Sequence, residues 1–437
     1  MKGPLHPSAY DTATHQQSWW EASAGPAPAR APLDRDLTAD VAVIGGGYCG
    51  LWAAATLAAR GATVAVLEAG EIGWGSSGRN GGIVGFGGDK LSPGKMVRRH
   101  GAEEVRRYHA EMVRGVHFLK AFCHAHGLSD WVQDGGELVL AHSARAAKAL
   151  AAEDWPDGME VTPVAPSGRD DIAQHGGVRW GDPFGIHPLR LVRAIADHAE
   201  AEGAKVFPRS EVIGWDRAQG RHLLTTAGGT VNAAKVLAAT NAFAPEGLHD
   251  VTTGRAVPVI SNIGVTRPLT EEERARHPWL GPDMTGSDTA HLLVYFRLLP
   301  DGRFLFGMRG DSFQSPGGEA RMRKALRERL DRAFPGWKDA EITHFWRGPV
   351  CMTASFTPSV GVLPQDGTVA HAFGWHGSGI NLGGLAGRMI GNVLAGDPVE
   401  TIPAPMRGLA PRLPFPWLRP RYVGMMRGVY AVMDRLS

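Results

Sequence analysis

The sequence predicts an α/β fold in which a domain built on a parallel sheet is interrupted by a discontinuous α+β domain. Three observations predict it. Residues 40–68 carry a complete strand–helix–strand pattern around closely spaced glycines. Short apolar runs and small-residue turns of the same kind return at 186–250 and 350–402. Between them, residues 91–185 and 251–349 mix strands with charged helices and lose that alternation.

The first unit sets the frame. Val41 to Ile44 is an apolar run too short for a helix and suited to a strand buried on both faces. Gly45, Gly47 and Gly50 follow at GxGxxG spacing, and Leu51 to Arg60 reads as an Ala-rich helix stopped by Gly61. Thr63 to Leu67 is the second strand, ending at Glu68. In such a unit the first glycine makes a tight turn, the second admits a pyrophosphate and the third lets helix and strand close together. The helix N-terminus presents free N–H groups to the phosphates, with Tyr48 and Cys49 on its first turn, and the terminal acid accepts ribose hydroxyls. A dinucleotide site follows.

The next loop decides which dinucleotide. Past Ala69, the stretch Gly75, Ser76, Ser77, Gly78, Arg79, Asn80, Gly81, Gly82 is crowded with small residues and two long polar ones. Its backbone can lie against a second phosphate and a flat ring. The string VAVIGGGYCGL…VLEAGEIGWGSSGRNGG resembles the glycine oxidase, sarcosine oxidase and D-amino-acid oxidase family of FAD-dependent amine oxidoreductases. Its GRNGG form is most like the gamma-glutamylputrescine oxidoreductase branch. The resemblance implies a Rossmann-like, glutathione-reductase-like FAD-binding domain at 40–90, 186–250 and 350–402, with the substrate-binding domain at 91–185 and 251–349. It further implies that the backbone at Val212 holds the adenine and that Ala239 and Thr240 border FAD.

The remaining elements follow in order. Residues 1–39, rich in Pro and Ala, read as an extended arm anchored by Trp19 and Trp20. Ala102 to Gly127 places Val105, Tyr108, Met112, Val116, Leu119 and Phe122 at helical spacing. The histidines near it (His109, His117, His124, His126) lack the acids or cysteines that would complete a metal site. Gly136 to His142 reads as a strand, Ser143 to Glu153 as a short helix and Pro156 to Pro166 as loop and strand. Pro188 opens a helix that Gly203 stops, and Lys205–Phe207 and Glu211–Ile213 read as strands. Leu223 to Val231 turns through Ala227-Gly228-Gly229 as a hairpin, and Lys235 to Asn241 is a buried strand. In the substrate region, Arg255 to Arg267 alternates as a strand, Leu292–Arg297 and Arg303–Met308 form a hairpin, and Glu319 to Phe334 is a solvated helix. Late in the chain, Gly377, Ser378, Gly379, Ile380 and Asn381 open a helix from Leu385 to Leu394, a second anion-stabilising turn. The tail, 403–437, is Pro- and Arg-rich and then apolar, and reads as packed back on the body rather than lying in a membrane interface.

Composition narrows the class. With 46 basic and 44 acidic residues in 437, no nucleic-acid surface is expected. Three cysteines without ligand spacing suit a reducing cytoplasm and exclude a disulfide framework. No stretch reaches the ~18 apolar residues of a membrane span, so the expected localisation is cytoplasmic.

The chemistry implied by the resemblance is oxidation of an amine or amino acid to an imine that hydrolyses, with hydrogen peroxide formed if oxygen is the acceptor. Tyr295, Arg297 and Arg309 fall in the substrate sheet; an arginine there clamps a carboxylate or serves as a structural cation. His376 precedes the late turn where the family has Gly-His-Gly, so it either faces the flavin or is an ordinary structural histidine. Relatives of the sarcosine oxidase type carry a lysine near the flavin that speeds reaction with oxygen. None lies between Tyr295 and Arg309, which points to another electron acceptor. Gly348 occupies the place of the cysteine that tethers FAD in those relatives, so non-covalent FAD is expected. Two alternatives stand beside this reading: a D-amino-acid or opine-type dehydrogenase, and a redox-silent flavoprotein serving assembly.

Overall fold

The computed structural model describes residues 3–436, apart from 154, 156 and 157. The start of the loop expected from Pro156 lies outside the described residues; the strand beyond it is Val161–Val164.

The glycine-rich unit forms the centre of the first sheet. Leu37–Ile44 pairs in parallel with Val64–Leu67 on one side and Thr230–Ala238 on the other. Lys205–Phe207 extends the sheet beyond the second strand, and Asp366–Phe373 extends it beyond Thr230–Ala238, both in parallel. Val41, Ala42 and Val43 are almost wholly buried, as a strand covered by helices on both faces requires. The strand starts at Leu37 rather than Val41 because Thr230–Ala238 runs alongside it from Val231 onward.

Helix Tyr48–Ala59 begins three residues earlier than the Leu51 start in the sequence reading, with Gly47 as its N-cap. It packs against helix Asn381–Leu394, which begins at Asn381 rather than Leu385. Gly383, Gly384, Gly387 and Gly391 weaken the helical signal there. They are retained within the helix by packing, since a Cβ on Gly391 would come 3.1 Å from the Ala53 carbonyl.

The expected strand Glu211–Ile213 is absent; the strand is Gly214–Ala218. The backbone just before it is committed elsewhere, with Arg209 N donating to Gly70 O and Ser210 N to Glu68 O. Val212 is buried beside that junction. The hairpin through Ala227-Gly228-Gly229 forms as expected, with Thr225 opposite Thr230.

The second sheet runs Ile342–Met352, Val257–Pro268, Arg303–Arg309, Val294–Leu298, Thr285–Asp288, Glu137–Leu140, Gly177–Trp180, Val161–Val164. Its one parallel contact joins Thr285–Asp288 to Glu137–Leu140. One face packs on helix Glu319–Ala333 through Phe296, Phe304, Phe306 and Leu326. The other face looks toward the first sheet.

The N-terminal arm has more structure than its composition suggests. Ser18 and Glu21 close a capping box on the short helix Trp19–Ser23, and Trp20 is fully buried. Histidines of helix Ala102–Ala125 find local partners: His117 lies 2.7 Å from Asp182, and His124 lies 3.0 Å from Ser129. The tail ends in helix Arg419–Leu436, which buries Val423 and stacks Tyr430 on His291 but leaves Met425, Val429, Val432 and Met433 exposed.

Candidate active site

A cavity of about 490 Å³ lies between the two sheets and draws its walls from both ends of the chain. That size suits a small-molecule or cofactor site. One arm of the cavity is the glycine turn. Gly45, at φ +109°, passes close under strand Thr230–Ala238, where a Cβ would lie 2.7 Å from the Ala239 carbonyl. Gly45, Gly47, Tyr48 and Cys49 line the cavity, whereas Gly50 is turned inward, where a Cβ would overlap the Gly45 carbonyl.

Glu68 closes this arm. Its two carboxylate oxygens accept from Gly46 N at 2.7 Å and Gly70 N at 3.0 Å. Burial pushes its carboxyl upward and these N–H groups pull it back. Ala69, Glu211, Val212, Ala239 and Thr240 continue the wall. Thr240 Oγ1 is buried there without a hydrogen-bond partner.

The serine-rich loop forms the middle. Ser76 Oγ donates to Pro349 O, and Tyr48 N donates to Ser77 Oγ. Arg79 is 4% exposed, yet both terminal guanidinium nitrogens lack a protein partner. The cation lies 4.7 Å from the Trp74 ring centroid, and burial lowers its pKa to about 10. A buried cation with free donors facing a cavity fits an anionic group inside it. Asn80 and Gly81 also line the cavity, whereas Gly82 gives its carbonyl to Arg297 Nη1 at 2.7 Å.

Gly377, Ser378, Gly379 and Ile380 enter from the late turn. Asn381 does not line the cavity. It is buried, and its Nδ2 donates to Gly85 O and Met112 O. His376 is 1% exposed and left-handed at φ +51°, a conformation sparsely populated by non-glycine residues. Thr353 Oγ1 donates to Thr357 O at 2.7 Å, so His376 Nε2 donates to Thr353 and Nδ1 is left bare. Burial, then Lys90 and Arg309, lower its pKa to about 3, so the ring is neutral.

The second sheet supplies the facing wall. Ser261, Ile263, Ser287, Tyr295, Arg309, Glu137, Val139 and Trp180 all reach the cavity from one face. Tyr295 Oη and Ser261 Oγ are 2.8 Å apart. Arg297, by contrast, is buried away from the cavity and holds Gly82 O and Ile186 O. It is a structural cation. Arg309 lines the cavity, and no carboxylate among the described residues pairs with it; its Nη2 lies 3.5 Å from His376 O.

Two residues that the sequence did not single out complete the wall. Lys90 arrives on the strap that follows Ile83–Val84, anchored by its N–H on Phe356 O at 2.9 Å. Burial and the neighbouring Arg309 lower its ammonium to about 8. A lysine thus reaches the cavity from outside the stretch between Tyr295 and Arg309. Glu137 is the second. Its buried carboxyl shares the cavity face with Val139, and the Leu138–Leu140 alternation was the only hint of that orientation. Trp375 also lines the cavity, whereas Trp52 packs on Phe118 and Phe122.

Residues 40–392 match the family model of the DAO FAD-dependent oxidoreductases, and the chain belongs to that family. It is an FAD-dependent enzyme acting on amines or amino acids. The chain is 28% identical over 443 residues to the gamma-glutamylputrescine oxidoreductase of Escherichia coli (strain K12), covering 97% of this chain and 99% of that one. It is 28% identical over 399 residues to the probable oxidoreductase OrdL of Rhizobium meliloti (strain 1021), covering 88% and 89%. Its fold matches the crystal structure of glycine oxidase from Geobacillus kaustophilus with a TM-score of 0.67 at 22% identity, over 86% of this chain and 100% of that one.

The residues present fit FAD. The glycine turn and Glu68 suit its adenosine, and the unpartnered Arg79 guanidinium suits its pyrophosphate or another electron-rich part. The late turn adds the N-terminal end of a 14-residue helix. Among the described residues, no cluster of three metal-ligating side chains exists and no helix is long and apolar enough to cross a membrane.

Proposed function

We propose that this protein oxidises the C–N bond of an amine or amino acid carrying an anionic group, in the manner of a gamma-glutamylputrescine oxidase, and releases a carbonyl compound after hydrolysis of the imine. The observation that carries this reading is the pair of cavity cations, Lys90 and Arg309, which no carboxylate among the described residues holds in a hydrogen-bonded ion pair. The relative of that name, matched over nearly its whole length, supports the substrate class.

FAD, when bound, supplies the two-electron acceptor for the carbon–hydrogen bond beside nitrogen. The chain's own residues position and desolvate. Arg309 offers a planar fork to a substrate carboxylate. Tyr295 and Ser261 present hydroxyls at 2.8 Å from each other on the same wall. Neutral His376 lines the cavity with its ring held by Thr353. Lys90, titrating near 8, can take up the proton that a substrate ammonium must lose before oxidation. As a cation at the same site it also favours oxygen as the acceptor, because it stabilises negative charge developing on reduced oxygen.

FAD is held without a covalent tether in this reading. Cys49 and Cys351 reach the cavity, but burial raises both thiols and keeps them protonated. Three free, buried cysteines support a cytoplasmic setting.

The test is anaerobic flavin reduction by the purified holoenzyme across gamma-glutamyl amines, polyamines, N-methyl amino acids and D-amino acids. Oxygen is then readmitted and peroxide measured. Bleaching by a carboxylate-bearing amine with peroxide on reoxidation is expected. A flavin that no member of the panel reduces would overturn the reading.

A further inference from the structure

The sheet face that carries Arg309 also holds a carboxylate that the proposed reaction does not use. Glu137 is 7% exposed, and its Oε1 accepts from Ser287 Oγ at 2.9 Å. No arginine, lysine or histidine among the described residues forms an ion pair with it, and Oε2 has no protein donor. A buried carboxylate without a cation is costly unless a ligand supplies one. Gly85 approaches Oε2 closely, where a Cβ would lie only 2.6 Å away.

Two aromatic rings flank the same spot. Trp180 is the register partner of Glu137 in the adjacent strand, and Phe86 meets Trp180 at 5.7 Å between ring centroids. All four residues (Phe86, Glu137, Trp180, Ser287) line the cavity. A carboxylate among aromatic rings is the chemistry that recognises an alkylammonium ion.

We propose that Glu137, with Ser287, Trp180 and Phe86, binds a second, non-reacting ammonium group of the substrate, so that the enzyme takes elongated amines with two nitrogens. The inference deepens the amine-oxidising reading above and rests on it for the identity of the reacting group. The strap from Gly85 to Lys90 joins this anionic corner to the cationic one. Gly85 and Lys90 are five residue steps apart, so their backbones lie at most ~17 Å from each other. Burial raises the Glu137 carboxyl to about 7, and an ammonium beside it would draw that value down.

The test compares equilibrium binding of 1,4-diaminobutane and 1-aminobutane to the oxidised holoenzyme under anaerobic conditions, read from the perturbation of flavin absorbance and from thermal shift. The wild type is expected to bind the diamine at least tenfold more tightly. Glu137→Gln keeps the shape and removes the charge, and should bring the ratio close to one. Ser287→Ala, a milder change, should lower the ratio part of the way and serves if the first variant fails to retain flavin. A wild-type ratio near one, or a preference that survives in a flavin-loaded Glu137→Gln, overturns the inference. Binding, rather than bleaching, is the readout here. Failure of the amine-oxidising reading shows instead as a flavin that no amine reduces.

Discussion

Trp20 and Trp346 donate their indole N–H groups to consecutive carbonyls of one loop, Trp20 to Asn80 O and Trp346 to Arg79 O, each at 2.8 Å. Their rings meet edge-on at 6.3 Å. One comes from the N-terminal arm and the other from the second sheet, and between them they hold the backbone that carries the Arg79 guanidinium. The arm is thus part of the support of the cavity wall.

Trp20→Phe keeps most of the packing and deletes the hydrogen bond, leaving the Asn80 carbonyl without its donor. The expected loss is about 1–3 kcal/mol of stability, with faster release of FAD. Thermal unfolding and flavin retention on dialysis check both effects.

Arg79→Met removes a buried cation that has no protein anion to leave behind. Loss of a charge-assisted contact of about 1.5–3 kcal/mol corresponds to roughly ten- to hundredfold weaker FAD binding. The apoprotein should be as stable as the wild type or more so, since desolvation of the guanidinium is relieved. Fluorescence titration of the apoprotein with FAD, and its thermal unfolding, separate the two.

Arg309→Met should raise KM about tenfold or more for an amine bearing a carboxylate and leave KM for the matching amine without one within about twofold. Steady-state kinetics on the two substrates decides. An equal loss on both would show that Arg309 only shapes the wall.

His371 lies buried in strand Asp366–Phe373, with Nε2 donating to Gly408 O and Nδ1 unpartnered. Burial lowers its pKa to about 4, against ~6.5 in the unfolded chain. Between these values the unfolded state takes up a proton that the folded state refuses, so stability falls as pH falls. From pH 7 to pH 5 the contribution is about 2 kcal/mol. His371→Gln should lose about that much less stability than the wild type over this interval, as read from urea midpoints at the two pH values.

The glycine-turn arm of the cavity was legible in the sequence because its glycines and Glu68 act through local geometry and lie within one contiguous stretch. Arg79, Ser76 and Ser77 were legible for the same reason. Lys90 and Glu137 were not. Each stands in a stretch without a motif, and only the sheet and the strap after Val84 bring them to the cavity. Arg297 and Arg309 show the limit of position along a strand: both lie in the second sheet, yet one is spent on the Gly82 and Ile186 carbonyls and the other faces the cavity. Helix Asn381–Leu394 was begun too late because propensity disfavours its glycines, and close packing on helix Tyr48–Ala59 overrides that preference.

The order of the first sheet has a consequence for how the protein is made. The Val236–Ala238 end of strand Thr230–Ala238 receives its outer neighbour only when Asp366–Phe373 has been synthesised, through the pairing of Val236 with Val369. Until then a nascent chain exposes an unpaired strand edge and half a cofactor cradle. Non-local parallel pairing of this kind forms slowly and leaves chains open to aggregation. Recombinant yield should therefore respond to chaperone supply during translation and to riboflavin in the medium, and a chain stopped before Phe373 should accumulate as insoluble, colourless protein.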